Sequence, residues 1–162
     1  MVLTEVKTEK VPGRISNVHI GYNATNGVNI SKGILSFEYW RNKDLLRIKI
    51  PSKATASDVQ ELGMSSYGWR LRFLSDCRQA FFATDVQATA GSQYAMSPNG
   101  LSNMIEYFKV LVPIEDGTGT PLTRTYTITG GYALRNSARI ENDQDAEYEY
   151  EGEAEYISYV DS

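Results

Sequence analysis

Glu147-Tyr148-Glu149-Tyr150-Glu151-Gly152-Glu153-Ala154-Glu155-Tyr156 alternates carboxylates with tyrosines and small residues, without a lapse over ten positions. A period of two is the period of a β-strand, whose successive side chains point to opposite faces. The pattern predicts a strand from about residue 146 to residue 160. One face holds Glu147, Glu149, Glu151, Glu153 and Glu155; the other holds residues that pack on a core. Ile157 and Tyr159 break the rule by falling on the acidic side, which a bulge or a buried end explains.

Such a row works against stability. Same-face residues stand about 6.7 Å apart along a strand. That is inside the Debye length of about 8 Å at physiological salt. Each neighbouring pair repels by roughly 0.6 kcal/mol even at the dielectric constant of water, and Glu is a poor strand former. Three accounts of the row stand open. It is a solvated face with cross-strand partners such as Arg47, Lys49, Arg70 or Arg72. It is the acidic wall of a conduit that keeps a polyanion from sticking. Or it is a cation site, which fits least well, because Ca²⁺ draws carboxylates converging from a loop rather than spread along a strand.

Moving outward, the rest of the chain reads as mainly β, a barrel or sandwich with one or two short helices. Ile34 to Trp40 and Leu45 to Ile50 read as a hairpin turned at Arg41-Asn42-Lys43-Asp44. Ser57 to Gly63 reads as a short helix, with Ser57 as N-cap and Gly63 as C-cap. Trp69 to Leu74 alternates as a strand, and Ala80 to Val86 as another. Phe108 to Ile114 and Thr123 to Thr129 form a hairpin with its tip at Asp116-Gly117-Thr118-Gly119, ended by Gly130-Gly131. Near the start, Ile15 to Tyr22 is a first strand, followed by a turn at Asn23–Gly27. Residues 1–14 read as an arm and residues 15–162 as a single domain.

The chain has 162 residues, enough to bury a core without disulfides or metal. Its 11 tyrosines, against 5 Phe and 2 Trp, suit half-buried strands and wet interfaces. The net charge of −4 argues against non-specific nucleic-acid binding. Charge is unevenly placed: residues 1–100 carry twelve Lys/Arg and eight Asp/Glu, residues 101–162 four and twelve, so the molecule has distinct faces. No apolar signal core or membrane-spanning run is present, so a soluble protein made in a cytoplasm is expected.

Catalytic chemistry has little to stand on. A lone His19 and a lone Cys77 support neither a histidine-rich metal site nor a nucleophile–base pair other than one resting wholly on His19. Asp116-Gly117-Thr118-Gly119 has the wrong order for an aspartic-protease motif. No phosphate loop or dinucleotide fingerprint occurs. Trp40 and Trp69 read as core or interface before sugar platforms. The expectation is a protein without catalytic residues, metal or cofactor.

From Glu106 onward the order of elements resembles the C-terminal half of tail-tube proteins of contractile-tailed bacteriophages. Tyr107-Phe108-Lys109-Val110-Leu111-Val112 leads to the Asp116–Gly119 tip, and Thr123–Thr129 returns to Gly130-Gly131-Tyr132. A short irregular stretch and the polar-acidic Ala138–Asp143 follow, then a strand closing in Glu155-Tyr156-Ile157-Ser158-Tyr159. The resemblance covers about a third of the chain and implies a virion protein, assembled in the host cytoplasm. Such subunits form hexameric rings that stack into a hollow tube through which DNA passes without specific binding. The five glutamates then face the lumen, and Arg47, Lys49, Arg70 and Arg72 meet acidic groups on the next subunit or on a surrounding sheath. Sheath, tape-measure and baseplate proteins are the implied partners besides the chain itself. A capsid decoration protein and a carbohydrate-binding β-sandwich are the alternatives.

Overall fold

A computed structural model describes residues 14–21, 27–49, 57–82, 104–116 and 118–162. In chain order the elements are β1 (Asn17–Gly21), β2 (Gly27–Ile30), β3 (Ile34–Lys49), β4 (Ser57–Phe73), α1 (Arg78–Phe81), β5 (Tyr107–Glu115), β6 (Pro121–Thr129), β7 (Tyr132–Arg139), β8 (Glu147–Ala154) and β9 (Tyr156–Asp161). They form a two-layer β-sandwich. Sheet A has the order β2-β1-β5-β6-β9 and sheet B the order β3-β4-β8-β7, with every ladder antiparallel.

The mainly β reading holds, and four local expectations are corrected. Arg41–Asp44 is not a turn but the middle of β3, whose register slips between Asn42 and Asp44. The irregularity lies on β4, where three residues (63–65) stand against Lys43, and a charged strand such as β3 is at home on a sheet edge. Ser57–Gly63 is not a helix; it is the first part of β4, paired with Asp44–Lys49. Seven residues are too few to hold a helix unaided, whereas the backbone of β3 needs a partner along its whole length. Ala80 and Phe81 lie in the one-turn helix α1 rather than a strand, while residues 83–86 lie outside the described residues. The last strand is two strands in different sheets, β8 in B and β9 in A, parted at Glu155. The first turn (residues 23–26) and the arm (residues 1–13) also lie outside the described residues.

The crossing between sheets is a double one. Thr129 pairs with Tyr156 in sheet A, and Tyr132 pairs with Glu153 in sheet B. Two residues intervene on each strand, so β6–β7 and β8–β9 are one antiparallel ribbon folded at a corner with its register unbroken. The Glu155 N–H donates to the Thr129 carbonyl at 3.1 Å and stitches the bend. Gly130 there has φ +62, in the left-handed region that glycine enters without strain.

The core lies between the sheets. Val18, Ile20, Phe108, Val110 and Ile128 of sheet A meet Trp69, Leu71, Phe73 and Tyr150 of sheet B, all buried. Phe81 of α1 is drawn in as well, stacked on Tyr150 with ring centroids 4.3 Å apart, and Trp69 stands edge-on to Phe108 at 4.9 Å. Phe37 and Tyr39 of β3 pack on Tyr126, and Tyr126 on Tyr159, so the β3 and β9 edges share one side of the sandwich.

The Tyr150 hydroxyl anchors the turn before α1. It accepts a hydrogen bond from the Cys77 N–H at 2.8 Å and donates to Asp76 Oδ1 at 3.1 Å. Burial pushes the Tyr150 hydroxyl well above its ordinary value, so it keeps its proton.

Candidate interface on the four-stranded sheet

The outer face of sheet B carries the charged residues singled out from the sequence. With Tyr148, Tyr150, Gly152 and Ala154 turned toward the core, Glu147, Glu149, Glu151 and Glu153 face outward, as period-two alternation requires. On β4 the same alternation buries Trp69, Leu71 and Phe73 and turns Arg70 and Arg72 out. Glycine at 152 has a steric cause: a Cβ there would stand 1.8 Å from the Tyr132 carbonyl oxygen and 2.6 Å from the Trp69 ring.

Register assembles these residues into rows across the four strands. Glu38 of β3 pairs with Arg70, Arg70 with Glu151, and Glu151 with Arg135 of β7, giving alternating charge from edge to edge. The next row holds Ser36, Arg72, Glu149 and Ser137; the row on the other side holds Trp40, Gly68, Glu153 and Tyr132.

The contacts follow the rows. Arg70 Nη2 and Nε reach Glu151 Oε2 at 2.8 and 3.1 Å, and Arg70 Nη1 lies 3.5 Å from Glu38. Glu151, hydrogen-bonded to it, raises the Arg70 guanidinium above its ordinary value. Arg72 pairs with Glu147 and lies 4.0 Å from Glu149, and Arg135 approaches Glu149 at 3.9 Å. Trp40 lies flat over Gly68, where a Cβ would sit 2.1 Å from the ring, and Arg70 stands 5.8 Å from the ring centroid.

The row of carboxylates is therefore laced with arginines. Across this face Glu38, Glu147, Glu149, Glu151 and Glu153 stand against Arg70, Arg72, Arg135 and Arg139. Opposite charges across strands offset the like-charge repulsion along β8.

Of the expected site residues, the structure brings together Glu147, Glu149, Glu151 and Glu153 with Arg70 and Arg72. Glu155 stands apart at the corner, exposed, its side chain against Gly130. Arg47 and Lys49 pair with Val59 and Ser57, whereas β8 covers only Tyr67–Phe73 of β4, so neither joins the ladder. Trp69 is core, and Trp40 lies on the outer face. Glu38, Arg135 and Arg139 went unnoticed in the sequence. The stretch after Gly131, expected to be irregular, is strand β7, and its alternation is broken by a bulge between Ala133 and Arg135.

Elsewhere the polar clusters serve the fold. Arg124 holds Asp161 through two hydrogen bonds of 2.8 Å and lies over the Tyr159 ring at 4.3 Å, fastening β9 to β6. Cys77 is half-buried; burial, with Asp76 next to it, pushes its thiol up to about 11, which keeps it protonated and unreactive at neutral pH. Among the described residues, no three His, Cys, Asp or Glu side chains are placed to hold a metal ion. No helix among them is long and apolar enough to cross a membrane.

No family model matches the chain, and no curated protein matches it. Solved structures do. A chain in the six-fold symmetrised baseplate of the anti-feeding prophage superposes with a TM-score of 0.54 at 11% identity, covering 96% of this chain and 97% of that one. A chain in the sheath/tube terminator of the PVC extracellular contractile injection system gives 0.53 at 13% identity, covering 96% and 99%. A chain in the extended PVC sheath–tube complex gives 0.52 at 14% identity, covering 94% and 93%. The chain thus shares, over nearly its whole length, the fold of these chains from the anti-feeding prophage and the PVC contractile injection system.

Proposed function

We propose that the chain is a structural subunit of a contractile-type particle tail, a tube subunit that forms six-membered rings stacked into a hollow tube. The observation that carries this reading is the outer face of sheet B, a four-stranded surface whose guanidiniums are matched by carboxylates. A passage for DNA has to avoid capturing phosphates, and free Lys/Arg contacts would capture them through counterion release. Here Arg70 and Arg72 have Glu147, Glu149 and Glu151 as neighbours, and one carboxylate is left in excess. The lumen-facing glutamates are then Glu147, Glu149, Glu151 and Glu153, with Glu155 at the corner adding a further negative charge. The fold likeness to chains of sheath–tube, terminator and baseplate structures supports the same reading.

Under this reading the protein is not an enzyme and needs no cofactor. It resides in the tail after assembly in the host cytoplasm. Its partners are further copies of itself together with sheath, tape-measure and baseplate proteins. The test is electron microscopy of the purified protein. Rings about 80–100 Å across, the size expected of six domains of this length, or stacks of them, are the expected outcome. Protein that stays monomeric at high concentration contradicts the proposal.

A further inference from the structure

Gly68 lies inside the long strand β4, where a residue without a side chain weakens packing and marks a close approach. What approaches is Trp40, its cross-strand partner on β3. The indole is thereby laid down on the outer face of sheet B, over β4. Glu153 of β8 is the next residue of that row, and Tyr132 of β7 is the last. Trp40 and Tyr132 are 37% and 39% exposed, and Glu153 is exposed between them.

Two features single out the gap between the rings. The first is charge. On this face Glu38, Glu147, Glu149 and Glu151 each lie at ion-pair distance from an arginine, whereas no cation among the described residues pairs with Glu153. The second is spacing. Neighbouring strands stand about 4.8 Å apart. A cation over Glu153 is thus one strand spacing from the indole above Gly68 and one from Tyr132, inside the roughly 6 Å reach of a cation–π contact.

The neighbouring row shows which cation suits such a place. The Arg70 guanidinium stands 5.8 Å from the Trp40 ring centroid and donates to Glu151 Oε2 through Nε and Nη2. Guanidinium, indole and carboxylate are combined there within one chain. The row of Trp40, Glu153 and Tyr132 offers a carboxylate and two rings, and no guanidinium.

We propose that Trp40, Glu153 and Tyr132 form a binding site for an arginine side chain presented by an extended segment of a partner protein. The guanidinium donates to the Glu153 carboxylate, and its flat faces meet the two rings. Arginine fits better than lysine, because its planar group stacks on aromatic rings and donates through a rigid fork. The site goes beyond the tube reading: a single chain carries all three side chains, so binding does not depend on rings.

The probe is a capped, fluorescein-labelled peptide of alternating arginine and glycine, titrated at physiological salt. Anisotropy gives the affinity, and nitrogen-15 spectra give the place. The chain has two tryptophans, of which Trp69 is buried, so the peptide is expected to shift the Trp40 indole N–H resonance and to leave that of Trp69 unmoved. Trp40→Ala, Tyr132→Ala and Glu153→Gln are each expected to weaken binding about fivefold. Asp145→Asn removes the same charge beyond the far end of β8, several Debye lengths away, and is expected to change the affinity by less than about twofold. A peptide with citrulline in place of arginine keeps the shape without the charge and is expected not to bind.

Circular dichroism checks the fold of each variant, and the isosteric change Glu153→Gln on an exposed residue keeps the test open if an aromatic variant misfolds. Equal weakening by Asp145→Asn and Glu153→Gln would reveal a general attraction to an acidic chain and overturn the site. Affinity unchanged in Glu153→Gln, or no binding of the arginine peptide at millimolar concentration, overturns it as well. None of these outcomes bears on ring formation, which electron microscopy decides separately.

Discussion

The indole of Trp69 lies against Gly152, so closely that a Cβ on residue 152 would stand 2.6 Å from the ring. Trp69 is fully buried, and its Nε1 donates to the Glu153 carbonyl at 3.2 Å, so it has nowhere to retreat. The neighbouring Tyr132 carbonyl is closer still, and it is backbone. Gly152→Ala is therefore expected to destabilise the fold by about 3 kcal/mol, the upper part of the range for overpacked cores. Urea denaturation followed by tryptophan fluorescence measures it; a loss under about 1 kcal/mol would mean that the corner yields.

Tyr150→Phe keeps the ring stack on Phe81 and removes only the hydroxyl between Cys77 and Asp76. The Cys77 N–H then loses its acceptor, at a cost of about 1–3 kcal/mol for an unsatisfied buried donor. Hydrogen exchange should localise the loss: the amide of residue 77 speeds up strongly, while β5 and β6 amides respond only to the global change. Unchanged exchange at residue 77 would show that the hydroxyl is not its anchor.

Acid should weaken the protein through its aspartates. At Asp76 burial pushes the carboxyl up, but the Arg78 side chain and N–H and the Tyr150 hydroxyl outweigh it, and the net shift is downward. Hydrogen bonds from Thr118 and Thr120 lower Asp116, and Arg124 lowers Asp161. A carboxyl depressed in the folded state adds stability above its unfolded value, 3.8, and loses it as pH falls through the folded value. The urea midpoint is expected to hold between about pH 7 and pH 5 and to drop below about pH 4. Asp161→Asn should shrink that drop, and a midpoint that rises on acidification would contradict the assignment.

The charge ladder should contribute little to the stability of the single chain. Arg70 and Glu151 are each about a third exposed, so their attraction is screened by solvent. A double-mutant cycle with Arg70→Ala and Glu151→Ala is expected to give a coupling of about 0.2–1 kcal/mol, shrinking toward zero in molar salt. A coupling of several kcal/mol, insensitive to salt, would mark the pair as part of the core.

Much of the fold was legible because strand periodicity is a local property. The strands at Trp69–Leu74, Phe108–Ile114 and Thr123–Thr129 were legible from local pattern, and so was the face shared by Trp69, Leu71 and Phe73 opposite Arg70 and Arg72. The misreadings fell where local preference and partner demand disagree. Ser57–Gly63 has acceptable helix caps, yet the 16-residue β3 requires a partner of equal length. Arg41–Asp44 looks like a turn by composition, yet a charged edge strand has the same composition. The candidate face was half legible: the glutamates and Arg70 and Arg72 stood out, while Glu38 and Arg135 acquired meaning only through their place at the two ends of a row.

By itself the sequence determined that Glu147, Glu149, Glu151 and Glu153 share a face, because successive residues of any strand alternate sides. Only the tertiary structure decided what that face contains, because the arginines opposite come from β4 and β7, distant in the chain and brought there by register. It also decided that Glu155 leaves the row. The alternation runs on through that residue, but the chain turns a corner there to pass from one sheet to the other, and no local pattern records which sheet a strand will join.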